Sequence, residues 1–91
     1  MNFEEYKLQI NNLFSKERAL QLRANRLCTS QTNYVIWLSI IDQQQACYDQ
    51  QDQVLASAEK NLSSYDYQVL RNMAIHHSQI IFSNQKIFVQ N

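Results

Sequence analysis

The sequence predicts an all-α protein, either an antiparallel three-helix bundle or a long helical hairpin with coiled-coil character. Three observations lead there. The 91 residues contain neither glycine nor proline, the residues on which hairpin turns and phosphate-cradling loops depend. Gln, Leu, Ala, Lys and Arg, all good helix formers, are abundant. Apolar residues also recur at spacings of three and four. A chain of this length makes one helical domain, residues 1–91, whose modest core a partner would help to complete.

The first helix is expected over residues 2–28. Asn2 is placed to cap it, Glu5 falls at the third helical position, and Met1 and Tyr6 have the spacing of a hydrophobic staple. Phe3, Tyr6, Ile10, Leu13, Leu20, Ala24 and Leu27 mark one face, interrupted by Glu17. The stretch CTSQTN, Cys28 to Asn33, collects side chains that compete for backbone hydrogen bonds, so a helix can end and restart there.

The second helix is expected over residues 33–61. Its first half is apolar nearly all round, and its second half, DQQQACYDQQDQ, is polar nearly all round. Asp42-Gln43-Gln44 recurs seven residues later as Asp49-Gln50-Gln51. Ser63 with Asp66 then forms a capping box, and Leu62 with Tyr67 a staple, opening a third helix over residues 64–89. Leu70, Met73, His77, Ile80, Asn84 and Ile87 run along its face.

Apolar residues also fall at every seventh position from Tyr6 to Val69. That heptad would allow helices 1 and 2 to be one rod about 90 Å long. The alternate seam carries Glu17, Gln31, Gln45 and Asp52, where a coiled coil wants apolar residues. Three helices folded back on one another bury more, which favours the bundle.

The stretch NYVIWLSII lies within Leu27–Ile41, where no residue is charged. It is too short for the ~20 apolar residues of a membrane span. A helix apolar on every side must be covered on every side, and two neighbouring helices do not suffice. Val35, Ile36, Trp37 and Ile40 are therefore expected to face a partner. The C-terminal IIFSNQKIFVQN repeats the theme and adds Ile81, Phe82, Phe88 and Val89 as a second docking group.

Eight basic and eight acidic residues balance to zero, which argues against general nucleic-acid binding. Lys16, Arg18, Arg23 and Arg26 crowd one segment, and Asp42, Asp49, Asp52 and Glu59 another. They fit either two complementary antiparallel helices or a basic docking face. Met1–Glu5 is not a secretory signal, so a cytoplasmic protein is expected, with Cys28 and Cys47 as reduced packing residues. His76 and His77 are adjacent, point about 100° apart, and lack the spacing of a metal pair. No catalytic constellation, metal site or cofactor is expected. The tyrosines and Trp37 suit either a core or the centre of an interface.

The segment SYDYQVLRNMAIHHSQIIFSNQKIFV resembles the last helix of the small helical needle-subunit co-chaperones of bacterial type III secretion. Tyr67, Gln68 and Val69, then Ile80 and Ile81, carry the likeness, which covers less than a third of the chain. The chain departs from that family in its length, its N-terminal amphipathic segment and its uncharged middle. The resemblance implies a cytosolic protein that masks the apolar helix of an export substrate until delivery. The expected function is thus a non-enzymatic helical interaction module, a chaperone, adaptor or subunit that binds a helical partner or itself. The alternative is a small dimeric regulator, DNA-associated or toxin-neutralising, that uses the Lys16–Arg26 segment.

Overall fold

The computed structural model describes residues 1–28 and 33–85. Three helices, α1 (Phe3–Leu27), α2 (Tyr34–Asn61) and α3 (Ser64–Ser83), make up an all-α bundle. The described residues occupy about 50 × 19 × 15 Å. Side-chain pairs fix the directions. Tyr6 meets Ser57 and Asn61 while Gln21 meets Gln44, so α1 and α2 are antiparallel. Phe14 meets His77 and Asn25 meets Asn84, so α3 runs back parallel to α1. The single-rod alternative is thereby replaced by separate helices.

The helix starts follow from the caps. The Asn2 side chain accepts from the Glu5 backbone N–H at 2.9 Å, and the Glu5 carboxylate accepts from the Asn2 N–H at 3.3 Å. Glu4 and Glu5 also place negative charge at the positive end of the α1 dipole. Between α2 and α3, Leu62 and Ser63 are both extended, which turns the chain without a positive φ. The Ser63 hydroxyl then accepts from the Asp66 N–H at 3.1 Å.

The expected third helix over residues 64–89 requires a correction. It ends at Ser83, and Asn84 and Gln85 lie outside it. The Asn84 amide donates to the Ile80 carbonyl at 2.9 Å and the Ser83 hydroxyl donates to the same oxygen at 3.0 Å. The Asn84 backbone N–H turns instead to Ile81. Side chains have taken the acceptor that a continuing helix would have used. Positions 86–89 of the expected helix, with Ile87, lie outside the described residues, as do positions 29–32 of the expected break.

The core has two clusters. Where all three helices meet, Tyr6, Ile10, Ala58, Leu70 and Ala74 are buried, with Phe3, Leu55, Leu62 and Met73 packed around them. Further along, Leu13, Leu20, Ala24, Ile40 and Cys47 form a second cluster between α1 and α2, joined by Leu27, Trp37 and Ile41. Ile10 is fully buried, whereas Leu8 on the same helix is exposed. Ile10→Ala should therefore cost about 2–5 kcal/mol, and Leu8→Ala no more than about 0.5 kcal/mol. Urea unfolding of the two variants checks this, and equal losses would contradict the packing described.

Candidate functional site

Two features stand out from the packing. One is an apolar surface at the far end of the hairpin; the other is a polar layer buried beside it.

The far end exists because α3 is short. Its last residues meet α2 around Gln44–Tyr48, where a small cleft of about 170 Å³ is lined by Gln21, Ile41, Gln44, Tyr48, Ile81 and Phe82. Between that level and Tyr34, α2 continues for about 15 Å with α1 as its described neighbour. The first half of α2 is apolar all round, and α1 covers one side of it. Val35 remains 76% exposed, Ile36 48% and Leu38 39%. Trp37 is half-buried, with the Tyr34 ring centroid 6.1 Å from its own.

Of the residues expected to face a partner, Val35 and Ile36 do lie on the surface. Ile40 does not: it is buried against α1 in the second core cluster. Ile81 is likewise buried, beneath the end of α3, while Phe82 is 64% exposed, with its ring centroid 6.4 Å from that of Tyr48. Phe88 and Val89 lie outside the described residues. Leu38 belongs to the exposed set and was not expected there.

The basic segment also differs from expectation. Lys16, Arg18, Arg23 and Arg26 are all exposed. At about 100° per residue, Lys16, Arg23 and Arg26 fall within roughly 80° of one another. Arg18 lies about 160° from Lys16 and about 80° from Arg26, and lines a cleft with Leu22, Ile80 and Asn84 on the α3 side. The four cations therefore spread over nearly half the circumference of α1. Arg23 and Arg26 stand exposed on the last turns of α1, and residues 34–41 of α2 carry no charge.

The buried polar layer was not legible as such in the sequence. Glu17, there an interruption of the α1 face, is only 1% exposed, and Gln21, Gln44 and Gln51 are buried with it. The Gln44 amide donates to the Gln21 carbonyl oxygen at 2.9 Å and lies 3.5 Å from the Glu17 backbone oxygen. Gln21 donates to the Asn25 side chain at 2.8 Å, and Asn25 donates to the Asn84 backbone oxygen at 2.7 Å. A chain of amides thus ties α2 and α1 to the end of α3. One oxygen of the Glu17 carboxyl, Oε1, is buried without a hydrogen-bond partner.

Burial disfavours the charged form and pushes the Glu17 carboxyl up to about 7. Burial, and then the nearby Glu17, also raise Tyr48. The Cys47 thiol is raised chiefly by burial, with Lys16 opposing and Glu17 adding. His77 is half-buried, its ring stacked at 4.0 Å on Phe14, and its pKa is lowered by burial and by His76. His76 is exposed. Cys28 and Cys47 are buried free thiols. Among the described residues, no group of three or more His, Cys, Asp or Glu side chains could hold a metal ion. Nor is any helix there long and apolar enough to cross a membrane.

Comparison with known protein families, curated proteins and solved structures finds no match to this chain.

The buried carboxyl makes stability depend on pH. The folded-state pKa of about 7 stands above the ordinary 4.5, so the folded form binds the proton more tightly than the unfolded form. This stabilisation is fully present below 4.5 and is lost as pH rises toward 7. The loss is at most about 3 kcal/mol, at 1.36 kcal/mol per pKa unit. Chemical unfolding of the wild type and Glu17→Gln across this range checks it. The variant should lack this fall, and a wild type more stable at pH ~8 than at pH ~5 would contradict the assignment.

Proposed function

We propose that this protein is a non-enzymatic helical interaction module whose docking surface is the exposed end of the α1–α2 hairpin. The observation that carries this reading is the exposure of Val35 and Leu38, about 60° apart on α2, with Ile36 exposed at the edge of a packed side formed by Trp37 and Ile40 against α1. Large apolar side chains exposed together beyond the end of a third helix mark a site of association more often than a solvated surface.

The partner that fits is an amphipathic helix with an acidic flank. Its apolar side chains, three and four residues apart, would lie along Val35 and Leu38, with Ile36 at the edge of the contact, about 100° from Val35. Its carboxylates would face Arg23 and Arg26, since residues 34–41 of α2 carry no charge. Masking such a helix is the work of a chaperone or adaptor, and the resemblance of the α3 sequence to type III secretion co-chaperones supports the same kind of role. The alternative of a DNA-associated dimer draws its support from four cations acting together, and their spread over nearly half the circumference of α1 weakens it.

Trp37 is the only tryptophan and lies half-buried beside the proposed surface, so its fluorescence reports occupancy. A synthetic amphipathic helical peptide with leucines on one face and glutamates on the other should bind saturably and shift the Trp37 emission to the blue. Val35→Asp should weaken binding about tenfold or more, which corresponds to about 1.4 kcal/mol, without lowering the melting temperature. Absence of binding, or equal affinity of the Val35→Asp variant, would reject this docking surface. Equal affinity for a lysine-faced peptide would reject the role given to Arg23 and Arg26.

A further inference from the structure

We propose that Glu17 is a protonation switch that holds or releases the C-terminal end of α3, and so sets how much apolar surface the hairpin offers. Its consequence for docking rests on the function proposed above; the protonation step does not.

The geometry supplies the parts. The Glu17 side chain is buried and its Oε1 has no partner. A neutral carboxyl is tolerated there far better than a carboxylate, which needs donors or a cation. From α2, Glu17 is faced by the Cys47 thiol and the Tyr48 hydroxyl, both held in their neutral forms by burial. From α1 the neighbouring charge is Lys16, whose side chain is exposed. From α3 the titratable group is His77, stacked on Phe14 one turn away, and burial together with His76 opposes its protonation. None of these groups provides a buried positive charge.

The amide of Gln44 is a donor close at hand, 3.5 Å from the Glu17 backbone oxygen. It is also the first link in the chain that runs through Gln21 and Asn25 to the carbonyl of Asn84, the C-cap of α3. Once ionised, Glu17 competes for that amide or draws in water. Either outcome loosens the chain at its Gln44–Gln21 link, weakens its hold on the last turns of α3, and so uncovers Ile81 beside Ile41. In the protonated state the chain stays intact and α3 stays closed.

The sign follows from the acid's two environments. The closed form, with Glu17 titrating at about 7, holds the proton more tightly than an opened form in which the side chain returns to its ordinary 4.5. Raising the pH through neutrality therefore favours opening, by up to about 300-fold in the opening equilibrium if solvation of Glu17 is complete.

The test is an NMR titration of the full chain from pH ~5 to pH ~8, a span that brackets the ordinary and raised pKa values of a carboxyl. The Glu17 carboxyl carbon is followed together with the side-chain amides of Gln44, Gln21 and Asn25. Hydrogen-exchange protection of Ile81–Asn84 is corrected for intrinsic rates. The expected result is a Glu17 midpoint near neutrality, amide shifts with the same midpoint, and at least about a tenfold fall in protection at the end of α3. In Glu17→Gln these transitions disappear and the end of α3 stays protected throughout. A Glu17 midpoint in the ordinary carboxylate range would overturn the proposal. So would a neutral midpoint to which the amides and the end of α3 do not respond. If the variant does not fold, the wild-type titration decides on the same criteria. Binding of the acidic peptide is measured at both ends of the range. A working switch without peptide binding refutes the docking surface alone, and binding without a switch refutes the switch alone.

Discussion

The rest of the structure depends on a mismatch of helix lengths. α1 and α2 have 25 and 28 residues and pair along their length, whereas α3 has 20. At 1.5 Å per residue, α3 falls about 12 Å short of α2. The three-helix end can therefore bury Tyr6, Ile10, Ala58, Leu70 and Ala74 from all sides. At the other end the described packing is one helix against one helix, and the most apolar stretch of the sequence lies there. Ser83 and Asn84 set the mismatch by ending α3 on the carbonyl of Ile80. Without their side chains in that role, the helix would be free to continue along the seam.

The polar layer lies at the boundary between these two regimes. Amides bridge α1, α2 and the last residue of the α3 cap at the level where the third helix runs out. A buried amide network, fully satisfied, fixes register as apolar contacts alone do not. The Glu17 carboxyl is the unsatisfied member, and an unsatisfied buried group costs stability. The exposed hairpin end and the buried carboxyl thus lie next to each other along α1 and α2.

Much of the architecture was legible in the sequence because its signals are local. The Asn2–Glu5 box, the Ser63 cap and the absence of glycine and proline act within a few residues, and the helix starts follow them closely. The end of α3 is hidden in the sequence although Ser83 and Asn84 are of the same kind as the residues at the first break, because Asn84 also falls on the spacing of the apolar face. The docking surface was half legible. A helix apolar on all sides has no hydrophobic phase, so its pattern told neither that Ile40 points inward nor that Leu38 points outward. The buried glutamines had a faint sign, since Gln44 and Gln51 occupy equivalent places in the repeated Asp-Gln-Gln motif. Burial of Glu17 depends on contacts across the bundle, which spacing along one helix does not encode.

The occupant proposed for the apolar end of the hairpin is a foreign helix rather than a second copy of the chain. The most direct measurement is the solution mass by sedimentation equilibrium from low micromolar to submillimolar protein, on the wild type and on Val35→Asp. Monomers of 10.8 kDa are expected for both at low micromolar concentration. A tight wild-type dimer that Val35→Asp disperses would contradict this, since the surface would then be covered by the protein itself.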